Sequence, residues 1–189
     1  MILSICIPTL PEYKSQQHLA NLRALLDPQL TDEVEVVIDN RDRKTPTGTK
    51  RNDMYQSAKG LYVSSVDCDD WIAPDYVSSI LEAAQSSPDV ITFDGWYTEN
   101  GRNKVDWSIK LGERYEARHD RASGGKYMFF RYPNHLTAMK KSIATKVKFP
   151  DVWMGEDYKW ATEIRDKGLL KSSVHIYKQL YHYVYLTQK

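Results

Sequence analysis

The chain has 189 residues, 41% apolar and 27% charged, with a formal net charge of +1. That length suits one domain with a real core, and the composition excludes a disordered chain, while two cysteines, Cys6 and Cys68, are too few for a disulfide-built scaffold. No apolar run approaches the roughly 20 residues of a membrane helix, residues 1–5 read as strand rather than leader, and the sparse thiols fit a reducing compartment, so a cytoplasmic protein is expected.

A short apolar run at residues 3–7, ended by Pro8, predicts a buried strand. Apolar residues recurring through 17–26 predict a helix, and the β-branched run 34–38 a second buried strand. Residues 41–49 are charged and carry Pro46 and Gly48, so they read as a loop. A helix is expected over 51–59, stopped by Gly60 in a left-handed C-terminal conformation. Residues 62–66 are the third predicted strand, 75–86 a helix entered through Pro74, and 90–93 a fourth strand. Strands alternating with helices predict a mostly parallel α/β sheet. Beyond Gly95 the pattern breaks into strands and loops rich in aromatics, among them Trp96, Trp107, Tyr115, Tyr127 and Phe129, expected to form one wall of a cleft. A helix over 158–166 and strands over 174–186 complete the expected elements.

In parallel sheets ligands sit beyond the carboxyl ends of the strands. Pro8-Thr9, Asp39-Asn40 and Asp67-Cys68-Asp69 all fall at such ends. The acids Asp67, Asp69 and Asp70 lie within four positions, and like charges so close disfavour joint ionisation. Either they form a charged turn or a hard cation neutralises them. Lys50 and Arg51 lie upstream, so cations and acids can meet at one sheet edge, the mixture that a nucleoside diphosphate with a divalent ion requires. Glu156 and Asp157 begin the helix after Gly155, where acids answer the helix dipole or serve as a general base. His182, among aromatics, is a packed core residue or an imidazole ligand. His135 belongs to a turn or to an acceptor-contacting loop, and Cys68 reads as a small buried residue within the Asp-x-Asp.

These segments resemble the glycosyltransferases of family 2. The resemblance rests on "SICIPTL", "VEVVIDN", "GTKRNDMYQSAKGLYVSSVDCDDWI" and "MGEDYKWATEIRDKG", in that order. It implies a GT-A fold, a Rossmann-like three-layer sandwich in a single domain. Residues 1–94 would bind the nucleotide-sugar and 95–189 the acceptor. It further implies that Pro8, Thr9, Asp39, Lys50, Arg51, Asn52, Asp67 and Cys68 meet the donor, a UDP-sugar. Asp69 and Asp67, with His182, would hold manganese or magnesium. Asp157 would be the base of an inverting transfer, with Glu156 beside it. The second strand departs from the family pattern by ending "DNRDR" in place of an acidic turn containing glycine and serine.

Residues 102–148 hold 12 basic and 4 acidic side chains, a local net charge of +8. Such a block marks an anionic partner or a solvated face. Trp96, Asn134 and His135 are the expected acceptor contacts. The small size and the "PNHL" loop are similar to compact phage enzymes that glycosylate 5-hydroxymethyl pyrimidines in DNA. A surface-polysaccharide glycan is the other acceptor class, and a nucleotide-sugar-binding protein without turnover is the alternative outside catalysis.

Overall fold

The computed structural model describes residues 1–121 and 124–187. The first half runs β1 (Leu3–Pro8), α1 (Tyr13–Leu26), β2 (Val34–Asp39), α2 (Thr47–Ser57), β3 (Tyr62–Ser65), β4 (Trp71–Ile72) and α3 (Tyr76–Ala84). The second runs β5 (Val90–Glu99), β6 (Arg102–Ile109), β7 (Glu116–Asp120), β8 (Lys126–Arg131), β9 (Ala138–Lys140), α4 (Lys141–Ala144), α5 (Glu156–Asp166) and β10 (Ser173–Tyr185). The strands form one sheet in the order β2-β1-β3-β9-β5-β6-β8-β7, with β10 beside β5 and β4 beside β10. Strands β2, β1 and β3 are mutually parallel, β9 runs against β3 and β5, and β10 is parallel to β5.

Two apolar cores on opposite faces of the sheet make the three layers. Leu3, Ile5 and Ile7 alternate toward Leu22 and Leu26 of α1 and Ile80 of α3. Cys6 and Val63 point the other way, toward Met54 of α2 and Trp160 and Ile164 of α5. Because β1 is covered on both faces, all six of its residues are buried, and a continuous apolar run is the sequence such a strand requires. Each fully buried Leu or Ile contributes about 1.5–3 kcal/mol. Among the described residues no helix is long and apolar enough to cross a membrane.

The sheet is the expected mixed α/β architecture, with local differences. Helix α2 starts at Thr47, inside the expected loop, because Pro46 presets the chain for a helix start. Strand β5 continues to Glu99, well past the apolar core run, since its second half pairs with β6 and β10. Gly60 is not left-handed. It is glycine because a Cβ there would lie 2.6 Å from the Ser4 amide nitrogen, where the chain crosses β1.

Candidate functional site

At the carboxyl ends of β1 and β3 the acid-rich turn folds against three different partners. The buried Arg51 guanidinium reaches Asp67 at 2.5 Å and also pairs with Glu156 of α5, while its Nε donates to Ser65 Oγ at 3.2 Å. Burial would raise the Asp67 carboxyl, but Arg51 and His135 outweigh it and hold it well below the usual carboxylate range. Burial, helped by the Asp157 charge, raises Glu156 against the pull of the same Arg51. Asp70 is a structural acid. Its carboxylate accepts from Tyr181 Oη at 2.7 Å and from the Val184 amide at 2.8 Å, tying β10 to the turn. Burial, with Asp67 and Asp69 nearby, pushes Asp70 far up. Of the three acids, Asp67 and Asp69 line an open cleft and are partly exposed, whereas Asp70 is buried.

That first cleft, about 340 Å³, is bounded by Pro8, Thr9, Lys50, Asp67, Cys68 and Asp69. His18 of α1, Arg43 and Trp153 add to its walls. A second cleft of about 430 Å³ lies on the other side of Arg51, Asp67 and Glu156, which line both. Its floor is Asn134, His135, Gly155 and Asp157, and its wall is Tyr97, Trp107, Tyr115, Phe129, Tyr158 and Tyr183. Gly155 takes φ 75°, a left-handed turn that starts α5 and sets Glu156 and Asp157 in its first turn. The helix N-terminus favours negative charge there. The Glu156 side chain is 6% exposed and faces Arg51, whereas that of Asp157 is 30% exposed.

His135 joins the two carboxylates. The loop that carries it is fixed to β3, because the Ser65 amide donates to the His135 carbonyl at 2.7 Å. Its Nε2 lies 3.6 Å from Asp67 and its Nδ1 3.6 Å from Asp157. The imidazole is buried, and neither ring nitrogen completes a hydrogen bond. Both ring nitrogens are closed to solvent, so the imidazole sits as a spacer between the Asp67 and Asp157 carboxylates.

Several expected contacts are placed differently. Lys50 lines the first cleft, yet its buried ammonium donates to the Thr9 carbonyl at 2.6 Å and to the Arg41 carbonyl, so it braces two loops. Asn52 exchanges two hydrogen bonds with the Phe149 backbone, at 2.8 and 2.9 Å, and lies outside both clefts. The Asp39 carboxylate is held by Arg41, which also reaches Asp53 at 2.7 Å, and does not line the first cleft. His182 stacks on Trp96 with ring centres 4.8 Å apart, and its Nε2 lies 2.7 Å from Thr98 Oγ1. Alternation along β10 sends Tyr181 and Tyr183 toward the acids and His182 to the opposite face. His182 therefore stands away from Asp67 and Asp69, and Trp96, an expected acceptor contact, stacks on it and does not line the second cleft. Among the described residues, no three His, Cys, Asp or Glu side chains converge as a metal-binding group. Two carboxylates still fit magnesium or manganese held chiefly by phosphate oxygens and water, the usual arrangement with nucleotides.

The sequence reading missed Tyr97, Tyr183, Arg131 and Trp153. Tyr183 and Arg131 had a signal: Tyr127, Phe129 and Arg131, and likewise Tyr181, Tyr183 and Tyr185, recur at every second position, the period of one strand face.

Comparison with known proteins bears on this geometry. Residues 19–147 match the family described as glycosyl transferase family 2. No curated protein matches the chain. Among solved structures, S. aureus TarS superposes with a TM-score of 0.68 at 17% identity, over 97% of this chain and 37% of TarS. TarS 1–349 in complex with UDP gives 0.70 at 17% identity, over 97% of this chain and 60% of that one. The complex of the same piece with UDP-GlcNAc gives 0.64 at 15% identity, over 97% and 58%. The chain therefore spans between about a third and three fifths of these proteins, and at such identities the likeness is one of fold.

Proposed function

The chain belongs to glycosyl transferase family 2, and from that premise we propose that it moves a sugar from a nucleotide-sugar to an acceptor hydroxyl with inversion. A UDP-sugar is the proposed donor, since TarS structures of the same fold hold UDP and UDP-GlcNAc. The observation that carries the proposal is the pair of clefts sharing the wall Arg51, Asp67 and Glu156. The donor takes the first cleft, at Pro8, Thr9, Cys68 and Asp69. The acceptor takes the second, at Asn134, His135 and Asp157. The division of labour between residues 1–94 and 95–189 is then approximate, because Trp153 and Glu156 also line the first cleft.

Each step falls to a named side chain. Arg51, neutralised by Asp67 and Glu156, fixes the wall against which the anomeric carbon sits. The acceptor oxygen attacks that carbon from the second cleft, opposite the diphosphate. The bond to the diphosphate oxygen breaks, and its electron pair leaves with UDP. Asp157 accepts the acceptor proton, positioned by His135, whose Nδ1 lies 3.6 Å from it. A divalent ion at Asp69 and Asp67 would neutralise the departing diphosphate as a Lewis acid.

The acceptor is a 5-hydroxymethyl pyrimidine in DNA or a glycan, since an aromatic wall stacks on either. The experiment is Asp157→Asn. UDP binding by calorimetry should be kept, while UDP release from a UDP-sugar falls on the order of a hundredfold or more, the scale of a lost general base. Unchanged release removes Asp157 from the base role. UDP binding with no release by the wild type favours a binding protein without turnover.

A further inference from the structure

The aromatic wall of the second cleft does not stop at the cleft. Tyr97 lies 5.6 Å from Tyr183 and 6.2 Å from Tyr185, the latter stacked at 29°, and 6.1 Å from Phe129. Phe129 lies 6.0 Å from Tyr127, and Tyr127 lies 5.5 Å from His119. Tyr127 is 50% exposed and Tyr185 40%. Together they make an aromatic track leading from the second cleft across the sheet face, in which Phe129 and Tyr127 meet their neighbours edge-on, at 84°, 71° and 63°. Side chains two apart along a strand are about 7 Å apart, so the track has room for several flat units in succession.

Its charge separates the acceptor classes. Register places Tyr127, Phe129 and Arg131 of β8 on the track face together with Ala117 and His119 of β7. Of the basic block's strand residues, Lys104, Arg118 and Lys126 have the other parity. Lys104 lies over Trp96 at 5.1 Å on the far face, and Arg118 lies over Phe130 and pairs with Glu113 and Glu116. On the track itself Arg131 is spread over the Tyr115 and Phe129 rings, Glu99 lies beside Tyr97, and the cleft floor carries Asp157. A single-stranded nucleic acid needs cations along its backbone as well as rings for its bases. Here the rings are present and a line of cations is absent among the described residues. A pyranose presents a weakly positive C–H face, which the negative face of an aromatic ring attracts without any countercharge.

We propose that this track binds a neutral oligosaccharide acceptor over several sugar units, with its terminal hydroxyl in the second cleft. The inference rests on the acceptor reading of that cleft, and goes beyond it in naming an extended, uncharged glycan. The test is saturation-transfer NMR and calorimetry on the full chain. Probes are malto-, cello- and chito-oligosaccharide series of increasing length, with an oligothymidylate as the anionic counterpart. Affinity should rise with length in at least one neutral series, and Tyr127→Ala and Tyr185→Ala should each weaken the longest member about threefold to tenfold. The monosaccharide and UDP release to water should be unchanged in both variants. Because that release needs no glycan, its absence in the wild type defeats the transferase reading, whereas keeping it without a length effect defeats only the track. Absence of binding in every neutral series, equal binding of monomer and oligomer, or salt-sensitive oligothymidylate binding weakened by the same variants overturns the proposal.

Discussion

Replacing Arg51 by methionine tests how the two clefts are held together. The Arg51 side chain is 2% exposed, that of Glu156 6% and that of Asp67 29%. Methionine fills similar space, so the change removes charge more than volume and leaves two carboxylates without their cation. Removing one partner of a buried ion pair costs about 3–5 kcal/mol. For a chain of this size each kcal/mol lowers Tm by about 2–4 °C, so a fall on the order of 10 °C is expected. The loss depends on pH in a definite sense. The Asp67 carboxyl is depressed in the folded state, so its stabilisation is present above the ordinary carboxylate pKa of about 3.9 and is lost as pH falls through the folded value. Glu156 is raised, so it works in the opposite sense: its contribution is present below about pH 4.3 and fades as pH rises through the folded value. Without Arg51, burial makes both carboxylates bind protons more readily. The difference between wild type and Arg51→Met should therefore be largest at neutral pH and shrink below about pH 4. Urea melts of both proteins at the two pH values measure it. A neutral-pH loss below about 1 kcal/mol, the scale of an exposed pair, would refute the claim that Arg51 organises the wall.

Two further outcomes follow from the same geometry. Tyr181→Phe removes the hydroxyl that donates to Asp70 and accepts from the Asp67 amide at 3.2 Å; it should cost about 1–3 kcal/mol in urea melts, the scale for stranding a buried polar partner. His182→Ala should leave the divalent-ion dependence of UDP release unchanged, while Asp69→Asn should raise the manganese concentration needed for half-maximal release; the reverse pattern would restore His182 as a ligand.

Much of the first cleft was legible because parallel strands are buried on both faces and leave continuous apolar runs. That fixed where β1, β2 and β3 end, and so where Pro8, Thr9 and Asp67 stand. The acid pair of α5 was legible through Gly155. Side chains of plausible chemistry were harder to read. Lys50 and Asn52 carry polar groups suited to a nucleotide, but α2 begins at Thr47 and turns one onto backbone carbonyls and the other onto Phe149. His182 failed on parity alone: one position along β10, at Tyr181 or Tyr183, decides between the acids and the far face. The basic block misled for the same reason. A charge count does not carry the period of a strand, and it is that period which separates Arg118 from Phe129 and leaves the track to the rings.

The first cleft is proposed to hold a donor whose sugar crosses the Arg51 wall. The most direct test is UDP release from a panel of UDP-sugars by the unmodified chain in the presence of manganese. Release from at least one donor is expected, abolished by chelation and restored by added metal. No release from any UDP-sugar, together with no binding of UDP, would contradict it.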